Sequence, residues 1–197
     1  MSRVSREQAA ENRAKVVTLA SSLFRQKGLD GVGIDEVMAE AGLTRGGFYG
    51  QFGSKDALAG EACADAFESV ERAWGAAGDG DAAGRLHRLV EFYFTPKPPG
   101  RDCPMATLTG DAARAPAGGP VRRAFTAGIG QLVRMVVGEK PDDKAMVVLA
   151  AMVGAAVLRR ASDDAALFDE MEAAVLRFAA SDSAAPMPAD LGAGIRG

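Results

Sequence analysis

The sequence predicts an all-α protein: a compact three-helix unit at the N-terminus, then a larger helical unit. Three observations lead there. Apolar residues recur at three- and four-residue spacing through most of the 197 residues, and no stretch alternates with the period of two that a strand needs. Helix stops fall between these periodic segments, as at Gly28 and Gly42. Helix starts follow them, as at Ser54 and Pro120.

Taken in order, Val16, Ala20, Leu23 and Phe24 form the apolar stripe of a first helix that ends at Gly28. A second helix is expected over 34–41. After it, Gly42 supplies the residue most able to turn left-handed. A third, short helix starts at Thr44, whose hydroxyl is placed to cap it, with Leu43 positioned to staple onto Phe48. Ser54 caps a fourth helix running to about Trp74. The glycine-rich stretch 75–84 breaks the pattern. Further helices are expected over 82–94, from Met105 to a break at 115–119, over 120–137 with Pro120 at its first position, and over 142–160 and 164–180. The small residues and prolines of 182–197 read as a disordered tail. The domains are therefore 1–53, 54–181 and the tail 182–197.

Net charge is −3, which excludes a uniformly basic polyanion binder. Charge is nevertheless uneven. Residues 1–27 hold Arg3, Arg6, Arg13, Lys15, Arg25 and Lys27 against Glu7 and Glu11, either a local anion-facing surface or a solvated amphipathic helix. Cys63 and Cys103 lie far apart without C-x-x-C spacing, which argues against a zinc site or disulfide framework and fits a cytoplasmic protein. No signal-peptide pattern is visible. The longest apolar run, 145–158, is too short to span a bilayer and reads as a buried helix.

The third helix, Thr44-Arg45-Gly46-Gly47-Phe48-Tyr49-Gly50-Gln51-Phe52, is unusual in composition. Phe48 and Phe52, four apart, share an inward face. Arg45, Gly46, Gly47, Tyr49, Gly50 and Gln51 occupy the outward surface. Each glycine costs a helix roughly 1 kcal/mol relative to alanine. That sacrifice has a purpose if a bulky partner must approach the backbone, as when a helix enters a DNA major groove. Crowding against a neighbouring helix is the alternative.

With the residues that follow, Gly53-Ser54-Lys55-Asp56-Ala57-Leu58, this segment resembles the signature of the TetR/AcrR family of transcriptional regulators, and the likeness covers about residues 10–60. The stretch Cys103-Pro104-Met105 after a proline-rich loop looks like one subgroup of that family. The resemblance implies that the Tyr49 hydroxyl and Lys55 meet phosphates and that Thr44 caps helix three and touches phosphate. Arg45 and Gln51 would read bases, through the natural pairings of Arg with guanine and Gln with adenine. Gly33 stands where the family has a capping Ser or Thr, so the second helix should be weakly capped. Gln51 stands where the family has His, so no base preference carries over there.

The resemblance also implies an effector cavity. Cys63, Phe67, Trp74, Leu86, Val90, Tyr93, Cys103, Met105, Phe125 and Ile129 could wall one, although core packing accounts for each equally well. His87, the only histidine, reads as a partly exposed helix residue. No metallopeptidase, nucleophile-elbow, phosphate-loop or dinucleotide motif is present, so neither a catalytic set nor a metal or cofactor is expected. The last two helices carry more apolar surface than one chain can cover, including Leu167, Met171, Val175 and Phe178, which suggests a homodimer built through them. The expected protein is a repressor released from a double-stranded, palindromic DNA operator by a small, largely apolar effector. A thiol-based redox regulator acting through an accessible Cys103 is the first alternative. An all-helical small-molecule-binding enzyme or carrier is the second.

Overall fold

A computed structural model describes residues 6–78, 82–138 and 142–181. Among them the chain forms ten helices and no strand: α1 (Arg6–Lys27), α2 (Ile34–Glu40), α3 (Gly46–Phe52), α4 (Lys55–Ala77), α5 (Ala82–Phe94), α6 (Pro104–Thr107), α7 (Thr109–Arg114), α8 (Pro120–Val137), α9 (Asp143–Ala161) and α10 (Ala165–Ala180). The expected tail, 182–197, lies outside the described residues, as does Arg3 of the basic stretch.

The N-terminal unit closes around Val16, Ala20, Phe24, Val37, Met38 and Phe48, all buried. Gly28 takes φ +74° and ends α1 with its N–H donating to the Phe24 carbonyl. Two caps differ from each other. Ser54 Oγ accepts from Ala57 N at 3.1 Å, so α4 starts on a true side-chain cap. Thr44 does not cap α3: that helix begins two residues later, its N-cap is Arg45, and no side chain caps it. Only the Thr44 backbone carbonyl takes part, accepting from Gly47 N at 3.1 Å. Gly33 likewise gives α2 no side-chain cap.

The second unit is organised by α4, which packs along α8 and also against α1. The α4–α8 approach is close because two glycines permit it. A Cβ on Gly60 would lie 2.7 Å from Pro120 Cβ, and one on Gly128 would lie 2.1 Å from the Phe67 ring. Phe67 in turn meets Phe125 edge to face at 5.4 Å. The single short helix expected after Met105 is two helices, α6 and α7, which meet at Leu108. α9 and α10 form an antiparallel pair, and α10 also packs on α5. Asp142 and Asp164 cap α9 and α10 by accepting from Ala145 N and Leu167 N.

The α9–α10 pair buries only part of its apolar surface. Val148, Leu149, Met152, Phe168 and Val175 face inward. Met146, Val147, Leu158, Leu167 and Phe178 remain about half exposed, between 45% and 50%. Val175, read from the sequence as part of a stripe available to a partner, belongs to this chain's own core.

Candidate DNA interface and cavity

α3 presents its backbone to the outside. Phe48 and Phe52 point inward and stack at 5.5 Å. Gly46, Gly47 and Gly50 are exposed, and a Cβ built on any of them meets no atom within 4 Å. No helix among the described residues crowds that face, so its glycines are not explained by internal packing as Gly60 and Gly128 are. Tyr49 is 55% exposed beside them. Arg45 extends over the same face, its Nη1 2.8 Å from Asp35 Oδ2 at the start of α2. The Tyr49 hydroxyl, then Asp35, hold its guanidinium above the usual arginine range. Thr44 is exposed, and Lys55 is half-buried at the first turn of α4, where helix N–H groups favour an anion. Gln51 is only partly outward: it is half-buried, and its Oε1 is buried with no hydrogen-bond partner among the described residues.

The basic stretch on α1 is largely engaged within the fold. Arg13 pairs with Glu61 at 2.6 Å and lies 4.7 Å from the Phe52 ring centre. Lys15 donates to the Ala41 carbonyl, Lys27 pairs with Glu36, and Arg25 is 2% exposed. These residues brace the N-terminal unit; they do not form the free anion-facing surface that their clustering in the sequence suggested.

Behind this unit the second domain encloses a cavity of about 430 Å³, open on one side. Of the ten residues considered for it from the sequence, Trp74, Tyr93 and Cys103 line it. Trp74 and Tyr93 meet edge to face at 5.8 Å. Cys63, Phe67, Val90, Met105 and Phe125 are buried in the core, while Leu86 and Ile129 pack against it from the half-buried shell. The remaining wall comes from residues that sequence patterning did not single out, chiefly Phe92, Lys97, Arg101, Asp102, Arg159 and Glu172. Polar and charged residues on a loop and on helix ends carry no apolar periodicity, so pattern reading passes over them.

Cys103 is buried and does not present the accessible thiol that the redox alternative requires. Burial pushes its thiol up to about 11, and that of Cys63 up to about 12, so both are protonated at neutral pH. His87 sits half-buried on α5, its Nε2 3.4 Å from Glu91 one turn on. No group of three or more His, Cys, Asp or Glu side chains among the described residues could hold a metal. No helix among them is long and apolar enough to cross a membrane.

Besides the α1–α4 packing and the Arg13–Glu61 pair, Arg25 and Asp111 tie the two units together. Arg25 on α1 donates from Nη1 to the Asp102 carbonyl at 3.3 Å and to Ser69 Oγ at 3.4 Å, reaching the cavity's loop and α4 at once. Asp111 on α7 accepts from Leu29 N at 3.3 Å, next to the turn that ends α1. Gly100 adds a close approach: with φ +72°, a Cβ there would lie 2.1 Å from Ser22 Oγ.

A short helix displayed by a tight turn, with bare backbone outward and cations beside it, defines a helix-turn-helix DNA-binding protein. Residues 16–62 match the family model of the bacterial regulatory proteins, tetR family. The match covers the N-terminal unit and the start of α4, about a quarter of the chain, and over those residues the chain is similar to that family of regulatory proteins. Solved structures with the same fold include a TetR transcriptional regulator from Chloroflexus aurantiacus, at 23% identity and TM-score 0.72 over 87% of this chain and 96% of that one. The reduced form of Escherichia coli NemR aligns at 18% identity and TM-score 0.69 over 84% and 95%. A transcriptional regulator from Saccharomonospora viridis, solved in complex with choline, aligns at 18% identity and TM-score 0.70 over 86% and 95%. No curated protein sequence matches this chain.

Proposed function

We propose that this regulator is a ligand-responsive repressor, bound to a near-palindromic operator as a homodimer and released when a small, largely apolar effector fills the cavity. The observation that carries this reading is the shared loop. Asp102 and Cys103 line the cavity, and the Asp102 carbonyl is also held by Arg25 of α1. An effector that displaces that loop acts directly on the DNA-binding unit. It shifts the equilibrium only if it binds the DNA-competent and released arrangements unequally.

On the DNA, Tyr49, Thr44 and Lys55 contact phosphates, Arg45 and Gln51 read base edges, and Gly46, Gly47 and Gly50 let the groove close on the backbone. Two chains meet through the exposed apolar residues of α9 and α10, the route to a two-fold dimer. The Saccharomonospora viridis protein of the same fold was solved in complex with choline, a small organic molecule, which supports a small organic ligand for this chain. The redox alternative through Cys103 faces a physical obstacle, because a buried, protonated thiol is a poor nucleophile.

Selection of bound fragments from a random DNA library tests the reading. The expected product is an inverted repeat whose half-sites are centred about 10 base pairs, or a multiple of that, apart. Enrichment of a single unrepeated half-site, or of no motif, would overturn it.

A further inference from the structure

We propose that the cavity takes an aromatic carboxylate, its flat apolar body against Trp74 and Phe92 and its anionic end at Arg101 and Lys97. This rests on the effector-cavity reading above and gives the effector a charge.

The lining holds four basic side chains, Lys97, Arg101, Arg159 and Arg160, against two acidic ones, Asp102 and Glu172. Both acids are already engaged. Arg159 Nη1 lies 2.6 Å from Glu172 Oε1, and Arg160 Nη1 lies 3.6 Å from Asp102 Oδ2. Lys97 and Arg101 are left without a carboxylate among the described residues. The Lys97 ammonium is held by the carbonyls of Phe92 and Thr95 and sits 4.2 Å from the Phe92 ring centre.

Arg25 adds positive charge from behind the wall. It is 2% exposed, and the oxygens it donates to are the Ser21 carbonyl and hydroxyl, the Ser69 hydroxyl and the Asp102 carbonyl, none of them a carboxylate. Buried charges are ordinarily paired. Desolvation, then repulsion from Arg101, pulls the Arg25 guanidinium below its usual range, and an anion at Arg101 offsets that repulsion. The hydroxyl of Tyr93 is buried beside the Cys103 sulfur, a weak acceptor, and has no other hydrogen-bond partner among the described residues. A carboxylate oxygen supplies the acceptor it lacks. Trp74, Phe92, Tyr93 and Phe94 supply aromatic surface among small residues such as Ala73 and Ala106, and about 430 Å³ suits a molecule of two rings.

The test is calorimetric titration of the full chain with biphenyl-4-carboxylate and with its neutral isostere, biphenyl-4-carboxamide. Emission from Trp74, the only tryptophan, reports whether binding is in the cavity. The carboxylate should bind about tenfold more tightly, as for a hydrogen-bonded charge pair. Arg101→Gln, at an exposed position, should remove most of that advantage, weakening the carboxylate far more than the amide. Equal affinities for the two probes overturn the anionic effector and leave the effector cavity standing. Failure of both to bind overturns both. A preference that survives Arg101→Gln and Lys97→Gln together overturns the assignment of the anion to these residues.

Discussion

Arg25, at the end of the DNA-binding unit's first helix, donates a 3.3 Å hydrogen bond to the backbone carbonyl of Asp102 in the loop that walls the cavity. Its other contacts are to Ser21 and to Ser69 on α4, so one buried guanidinium joins three elements. Arg25→Met fills similar space but strands the Asp102 carbonyl. We expect it to lower stability by about 1–3 kcal/mol in a denaturant melt and to weaken the effect of an effector on operator affinity. Unchanged stability with unchanged effector response would show that Arg25 is not the link.

The glycines divide into two kinds with opposite expected outcomes. Gly50→Ala meets nothing within 4 Å, so it should raise stability by up to about 1 kcal/mol while weakening operator binding. Gly128→Ala drives a methyl into the Phe67 ring and should destabilise by about 1–3 kcal/mol. Thermal melts and gel shifts on the two variants separate these effects. Full operator affinity in Gly50→Ala would remove α3 from the groove.

Base readout rests on how Arg45 is held. Arg45→Ala should relax preference at one position per half-site, at a cost of roughly 1–3 kcal/mol. Asp35→Ala removes the carboxylate 2.8 Å away and should blunt the same position less severely, because the guanidinium remains. Competition binding against single-base operator variants measures both. A motif unaltered by Arg45→Ala would transfer readout to Gln51.

Phosphate contacts leave a different signature. Lys55→Ala should weaken binding to all sequences alike and lower the slope of log affinity against log salt by about one. Tyr49→Phe should weaken binding uniformly while leaving that slope near its wild-type value, since no charge is lost. A Lys55→Ala slope equal to wild type would mean the start of α4 does not touch the DNA backbone.

The dimer prediction depends on choosing residues that one chain leaves uncovered. Val147→Glu and Leu158→Glu, at positions about half exposed, should yield folded monomers in sedimentation and lose cooperative operator binding. Val175→Glu should instead unfold the second domain, since its side chain is buried. Dimers that persist in both exposed-site variants would place the interface elsewhere.

The sequence by itself determined the helical class, the boundaries of most helices and the recognition segment. These are local properties. Gly28 and Ser54 end and begin helices through their own backbone and side-chain chemistry, and Phe48 and Phe52 declare an inward face by spacing alone. α5 and α8 fall on the residues expected from periodicity. The tertiary structure decided what depends on neighbours distant in the chain. It placed Arg13, Lys15, Arg25 and Lys27 against Glu61, Ala41, Asp102 and Glu36, turning a basic cluster into bracing. It required Gly60 and Gly128 where α4 crosses α8, and left the glycines of α3 open. It sent most of the apolar residues considered for the cavity into the core and walled the space partly with Lys97, Arg101 and Arg159. Apolar periodicity tells which face of a helix is buried. Whether that face meets a packed side chain or an empty volume depends on the approach of other helices, which no local pattern records.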